Sequence, residues 1–503
     1  MIRNIVVAII AYGLSAMPGF AADKKNEEVA RVPDPVSVEK AGTVQADGQK
    51  ISYTVIAGET YLKNDKDKPV ASIFSTSYFR SGVKNAHKRP VLFIFNGGPG
   101  SASIWLHMGV FGPRRVALPQ GGKDDGAPPY DIEDNPYTLL DIADLVFIDP
   151  VGTGWSRALG DQDPKDYWGV KEDARSLAEF IRLWVTRNKR WNSPKYLAGE
   201  SYGTTRAAAL TKELQGGWTD MGLNGVMLIS SILDFQTARF GPGNDTPHIA
   251  YLPTMAATAW YHNKVDRAAW NNDQQAFLSE VKAFALDKYA PALLRGSSMA
   301  KEKQAAIIET LSRYIGLSNT FIRNAHMRIS PFRFEKELLR DEGKTIGRLD
   351  ARYTGEDFDE AGETFDNDPS GYGIDSAYTA AAIDYFTREL DVPIERPFKV
   401  LDGKPGQNWN WSLSKNRNWP AYTNVAPWIG EAMRENSDYR VFVASGYYDF
   451  ATPFFATDMT MNRNGIDASR VSTSYYQAGH MMYVDEPSLR DVTTAMRAFL
   501  LAG

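Results

Sequence analysis

Four short runs of this chain are apolar at nearly every position: 91–95, 145–148, 226–229 and 441–444. A strand points successive side chains to opposite faces, so a run with no polar face predicts a strand buried on both sides. Residues 50–80 behave differently. Ile51, Tyr53 and Val55, then Ala71, Ile73 and Phe74, fall in alternation with polar neighbours, as in a β-hairpin or meander. Helical spacing lies between the buried runs, for example over 173–184 and 428–434. Strand and helix in alternation predict an α/β fold with a mostly parallel sheet covered on both faces.

The middle of the chain breaks this rhythm. Helical patterns dominate from about Met255 to about Leu390 (274–284, 301–314 and 378–390). Successive parallel strands are joined by one helix, so the long gap between 229 and 441 predicts an inserted helical domain. The organisation read from the pattern is a core over 22–240, a mostly helical insertion or cap over 241–400, and the rest of the core over 401–503. An acidic stretch at 356–368 interrupts the helices. Its spacing does not match a calcium-binding EF-hand loop, and it reads as a solvated loop. There are no internal repeats or low-complexity tracts.

Composition narrows the class. The chain has 503 residues, 43% hydrophobic and 23% charged, enough to bury a large core. A net charge of -5 gives no reason to expect nucleic acid or an anionic membrane as partner. Arg3, an apolar stretch over 5–14 and Gly19-Phe20-Ala21 form a secretory signal pattern over 1–21. That stretch is short and interrupted by Gly13, so the mature chain is expected to begin near Ala22 without a membrane span. There is no cysteine. Eukaryotic secreted enzymes of this size usually carry disulfides, so the combination suggests a secreted or periplasmic protein of the bacterial envelope. It also excludes thiol nucleophiles and iron–sulfur clusters. With no His-Glu-x-x-His, scattered histidines and no phosphate-binding Gly-x-x-x-x-Gly-Lys loop, no metal or cofactor is expected.

The chemistry centres on Gly199-Glu200-Ser201-Tyr202-Gly203. It follows the apolar Tyr196-Leu197-Ala198 and precedes the helix-like 206–210, which is strand, sharp turn and helix with a serine at the apex. That turn lifts a nucleophilic hydroxyl clear of the sheet and aims the next N–H, that of Tyr202, at the reacting oxygen. A serine hydroxyl needs a base. In an α/β-hydrolase the order along the chain is serine, acid, histidine. Of six histidines, His480 fits best, on a loop after the strand-like 472–476. His248, His262 and His326 fit that order less well and read as structural or substrate-facing. Asp449, after 441–444, is the candidate orienting acid; Asp458 and Asp485 have weaker context. The second oxyanion donor should lie in the glycine-rich loop Asn96-Gly97-Gly98-Pro99-Gly100.

Taken together these segments resemble the serine carboxypeptidase family. Asn96–Gly100 resembles its oxyanion loop, 149–156 (Asp-Pro-Val-Gly-Thr-Gly-Trp-Ser) its Asp-Gln-Pro-x-Gly-x-Gly-Phe-Ser segment, Gly199–Gly203 its nucleophile motif, and Gly479-His480-Met481 its histidine motif. The resemblance spans roughly 90–235 and 420–490. It implies an α/β-hydrolase with Ser201 as nucleophile, His480 as base, Asp449 as orienting acid, and the N–H groups of Gly98 and Tyr202 as oxyanion hole. It further implies that Asn96 and Glu200 recognise the free C-terminal carboxylate of a peptide. Two carboxyl groups in contact cannot both stay ionised, so they share a proton, and activity should be strongest at acidic pH. Three positions depart from the family pattern. A second glutamate is replaced by Val110, a tryptophan by Ile94 and a cysteine by Ser101. The expected function is a secreted serine carboxypeptidase working through an acyl-enzyme. The alternatives are an acyltransferase or esterase, as among related plant proteins, and a non-catalytic binding protein on the same scaffold.

Overall fold

The structure, a computed structural model, describes residues 32–121, 123, 125–216, 219–414 and 421–502. The signal pattern at 1–21 lies outside them. Among the described residues ten strands form one sheet, nine of them side by side along it: β1 (Ser37–Ala46), β2 (Gln49–Lys63), β3 (Pro69–Arg80), β4 (Val91–Phe95), β5 (Asp144–Ile148), β6 (Lys195–Ser201), β7 (Gly225–Ser231), β8 (Arg440–Gly446) and β9 (Val471–Tyr476). Their order is β1-β2-β3-β5-β4-β6-β7-β8-β9, with the two-residue strand Arg157–Ala158 pairing off the path with β3. The pairs from β5 to β9 are parallel. Those from β1 to β3, and β3 with β5, are antiparallel. This is the α/β-hydrolase fold.

The apolar runs acquire their meaning here. Leu92, Ile94, Tyr196, Ala198, Met227 and Phe442 enter the core on one face, while Val91, Phe93, Leu197, Val226, Leu228 and Val441 enter the core on the other. Both faces are dry because helices cover both. The principal helices are α1 (Val170–Arg187), α2 (Tyr202–Leu214), α3 (Thr246–Tyr261), α4 (Gln274–Phe284), α5 (Lys301–Ile315), α6 (Pro331–Glu337), α7 (Asp375–Asp384), α8 (Ala426–Glu435), α9 (Phe454–Met461) and α10 (Glu486–Leu501). Apolar stripes of α1, α2 and α8 close one face through Leu177, Leu210 and Ile429. α10 and α7 close the other through Val492 and Tyr378. Between β7 and β8, α3, α4 and α5 build a third core around Tyr251, Phe277 and Leu311, joined by Tyr447 and Phe450 from beyond β8. α7 falls within 241–400 by sequence yet packs on the sheet.

The acidic stretch at 356–368 is the irregular, mostly exposed loop its composition suggests, but two of its carboxylates are tied down. Asp357 is buried against Lys336 in an ion pair at 2.5 Å, with side chains only 2% and 4% exposed. Asp368 accepts hydrogen bonds from the N–H groups of Arg348 and Leu349. Counting charges exposes a loop's polarity but not the partner that folds onto it.

Candidate active site

The parallel strands deliver their last residues to one edge of the sheet, where α/β folds place ligands. Ser201 ends β6 with φ 60° and ψ -130°, a left-handed conformation that costs a non-glycine residue free energy. Packing on both sides holds it there. A Cβ on Gly203 would sit 2.8 Å from the Phe95 carbonyl, and one on Gly97 would sit 2.5 Å from the Tyr202 nitrogen. The glycines therefore let the Asn96–Gly100 loop lie against the turn, which brings Gly98, Ser201 and Tyr202 into the wall of one cleft. Gly98 itself has φ 101°, open to glycine and strained for other residues.

Beneath this turn lies a buried charge. Arg206 of α2 is fully enclosed. Its Nε donates to Asp173 Oδ2 at 2.6 Å and its Nη1 to the Asn96 carbonyl, while its plane sits over the rings of Phe95 and Tyr202. One guanidinium thus ties α1, the nucleophile turn and the oxyanion loop together. The 149–156 segment braces the same loop from the other end: Asp149 Oδ1 accepts from the Ser103 N–H at 2.8 Å, and Ser156 Oγ donates to the Asp149 carbonyl at 2.6 Å.

Asp449 and His480 meet as the sequence predicts. Asp449 Oδ2 lies 2.8 Å from His480 Nδ1 and accepts from Thr452 Oγ1 at 2.6 Å. Oδ1 accepts from the N–H groups of Ala451 and Thr452 at 2.8 and 2.9 Å. These donors fix the carboxylate, and the carboxylate fixes the imidazole tautomer with Nε2 left for a partner in the cleft. Burial works to lower the His480 pKa, but the charge and hydrogen bond of Asp449 outweigh it, and the net shift is upward. The His480 N–H is anchored on the Leu349 carbonyl at 2.6 Å.

Glu200, one residue before Ser201, is 2% exposed, and burial raises its pKa to about 7. Asn96 Nδ2 donates to its Oε2, and the Tyr483 hydroxyl donates to the same oxygen at 2.8 Å. Asn96 is held in turn, its Oδ1 accepting from the Leu106 N–H at 3.1 Å. The result is a carboxyl that keeps its proton in mild acid and faces the cleft beside the serine. Val110 is buried in the core and Ile94 lies within β4, so neither reaches this group. Tyrosines fill the neighbouring space. A Cβ on Gly109 would come within 2.6 Å of both the Tyr378 hydroxyl and the Tyr483 ring.

The cleft has a volume of about 630 Å³ and contains Asn96, Gly98, Glu200, Ser201, Tyr202 and His480; Asp449 stands behind His480. Among the described residues no cluster of His, Asp and Glu could hold a metal ion. His248 and His262 bond to the carbonyls of Ile329 and Ala351, and burial lowers both pKa values. Asp458 pairs with Lys282, and Asp485 caps α10. These are structural roles. The residues that sequence reasoning missed are Tyr483, Thr452 and the Asp173–Arg206 pair. Tyr483 follows His480 by three positions among apolar neighbours, where a tyrosine reads as core. Arg206 sits in an alanine-rich helix, and no local spacing reveals that its partner lies in α1.

Comparison with known proteins points to one family. The family model described as serine carboxypeptidase matches residues 61–486. Serine carboxypeptidase-like 34 of Arabidopsis thaliana is 29% identical over 230 residues, covering 42% of this chain and 41% of that protein. Serine carboxypeptidase-like 29 of the same plant is 30% identical over 166 residues, 32% of this chain and 33% of that one. The chain therefore spans well under half the length of these relatives. The solved structure of a prohormone-processing carboxypeptidase from Saccharomyces cerevisiae superposes with a TM-score of 0.53 at 15% identity, covering 89% of this chain and 90% of that one, a likeness of fold.

Proposed function

Because the chain belongs to the serine carboxypeptidase family, we propose that it releases C-terminal residues from peptides through an acyl-enzyme on Ser201. Ser201 Oγ attacks the scissile carbonyl while His480 Nε2 takes its proton. Asp449 stabilises the resulting imidazolium, and the N–H groups of Gly98 and Tyr202 receive the developing oxyanion. His480 then returns the proton to the departing amine, and water cleaves the ester by the same steps in reverse. Asn96 and the protonated Glu200 donate to the free carboxylate of the leaving residue. The observation that carries this reading is the buried, amide- and phenol-held Glu200 beside the serine. A carboxyl in that place repels a carboxylate ligand when ionised and binds it when protonated. Cleavage of free acids is therefore strongest on the acid side of about pH 7, where Glu200 loses its proton.

The leader pattern and the absence of cysteine support an exported protein, secreted or periplasmic. Among the described residues no helix is long and apolar enough to cross a membrane. Val110, in place of the second glutamate, favours a second reading as esterase or acyltransferase. The test is hydrolysis of an N-blocked dipeptide, its C-terminal amide and its methyl ester, with Ser201→Ala as control. Cleavage of the free acid well above the amide is the expected result. Ester cleavage with no preference for the free acid would transfer the protein to the second reading. Failure of a serine-reactive phosphonate to label Ser201 would remove enzymatic readings altogether.

A further inference from the structure

The cleft continues on the far side of Ser201 from Asn96. β6 lies between β4 and β7 in the sheet, so Asn96, at the end of β4, and the segment leaving β7 flank the serine on opposite sides. The β7 side is lined by Ile232, Phe235, Arg239, Tyr251, Arg348 and Phe450. Its two cations have an unusual property. Among the described residues, no carboxylate lies within ion-pair distance of either guanidinium, and neither guanidinium donates a hydrogen bond. Arg239 is exposed and rests over the rings of Phe235 and Trp411, at 5.7 and 5.4 Å. Arg348 is half-buried, and its backbone is fixed on both sides: Asp368 Oδ1 accepts its N–H at 2.9 Å, and its carbonyl accepts from the Phe450 N–H at 3.0 Å.

Two carboxyl groups lie near Arg348 without neutralising it, and a third lines the same cleft. Asp368 spends its oxygens on the N–H groups of Arg348 and Leu349 and on Ser370. Glu335 of α6 is fully buried with neither oxygen hydrogen-bonded, and burial raises its pKa to about 8 although Arg348 pulls the other way. Asp375, at the start of α7, lines the cleft and is raised by burial and by Asp368. A half-buried guanidinium without an anion has lost part of its hydration and gained no partner. Its planar fork matches a carboxylate in two parallel hydrogen bonds. Arg348 lines the same cleft as Ser201 and His480, and its charge is felt at His480, where it acts against the upward shift from Asp449.

We propose that Arg348, assisted by Arg239, makes the β7 side of the cleft a site for a carboxylate side chain, so that the enzyme prefers substrates with Asp or Glu immediately before the scissile bond. The direction rests on the carboxypeptidase reading, which seats the leaving residue at Asn96 and Glu200 and so the acyl residue opposite. Arg348 is a specificity-determining residue here, with Arg239 as the outer, more hydrated member of the pair.

The test measures kcat/KM at about pH 5.5, where a substrate Glu is ionised and Glu200 keeps its proton. Two series are compared: N-blocked Glu-Leu, Gln-Leu and Lys-Leu, and the methyl esters of N-blocked Glu, Gln and Lys, which meet only the acyl side. A charge-assisted hydrogen-bonded pair predicts Glu over Gln by about tenfold or more, and Lys below Gln, in both series. Arg348→Gln brings the Glu/Gln ratio near one, Arg348→Lys restores part of it, and Arg239→Gln lowers it less. A merely structural Arg348 would lower all substrates together and leave the ratio intact. Should Arg348→Gln fail to fold, Arg348→Lys and Arg239→Gln still move the ratio. Equal rates for Glu and Gln in the wild type, or a preference that survives both substitutions, would overturn the proposal. Glu-preferring ester cleavage with no cleavage of the dipeptide acids would instead overturn the carboxypeptidase reading and leave the acyl-side assignment standing.

Discussion

On the β4 side of Ser201, a carboxyl that burial penalises is held by an amide and a phenol. On the β7 side, two guanidiniums line the cleft with no acid paired to them among the described residues. The first side satisfies its buried polar group from within and adjusts to a ligand by keeping or losing one proton. The second leaves charge unsatisfied and looks to the ligand for completion. The difference separates two kinds of recognition. In the proposed reading, Glu200 reads a feature shared by every peptide, its free carboxylate, whereas Arg348 reads a feature of particular side chains. Between them the nucleophile elbow, the sharp turn at Ser201, is indifferent to both, since its geometry is fixed from beneath by Arg206, Asp173 and the glycine contacts.

The largest expected effect silences both sides at once. Ser201→Ala should lower kcat by about 10⁴-fold or more while leaving Tm nearly unchanged, as read by steady-state kinetics and thermal melting. A loss of only a few-fold would mean that neither side of the cleft serves a serine nucleophile. A smaller effect separates the two sides. In Glu200→Gln the amide can still donate where a protonated carboxyl does, but it has no proton to lose. Cleavage of free acids should persist within about tenfold of wild type near pH 5 and no longer fall as pH passes about 7, with the acyl-side Glu/Gln ratio unmoved. A fall at the same pH in this variant would assign that limb to another group.

The smallest effect is on stability. Glu335 is protonated in the folded protein up to about pH 8, while an unfolded glutamate ionises near its ordinary value of 4.5. Its contribution is therefore fully present below about pH 4.5 and is lost as pH rises through about 8. Glu200 and Asp149, both raised to about 7 by burial, act in the same direction. Glu335→Gln should leave Tm near pH 5 almost unchanged and raise it by several degrees near pH 8, flattening but not abolishing the decline. An equal change at both pH values would show that Glu335 is not held protonated by burial.

How much of this was legible in the sequence follows the same division. The strands with dry faces declared themselves because period-two geometry leaves a run with no polar positions. The elbow and the oxyanion loop were legible because close backbone approach demands glycine at fixed spacings, as at Gly97 and Gly203. Asp449 and His480 were legible by their order along the chain. Tyr483 and Arg348 were not, for opposite reasons. Tyr483 looks like core, and its hydroxyl finds Glu200 only because the chain after β9 folds back across the sheet's edge. Arg348 lies in the insertion, where an arginine reads as surface until its fixed backbone turns it toward the cleft. α3 was hidden in part by Pro253 within it. Its side chains are buried between the third core and the cleft, and that packing outweighs the lost hydrogen bond.

The central claim is that a proton on Glu200 lets the β4 side read a free carboxylate. It is tested most directly by the ratio of kcat/KM for an N-blocked dipeptide to that for its C-terminal amide, followed from about pH 4 to pH 8. The account predicts a ratio well above one in acid that falls as pH passes about 7, where buried Glu200 gives up its proton. A ratio that stays constant across the range, or that rises toward neutral pH, would contradict it.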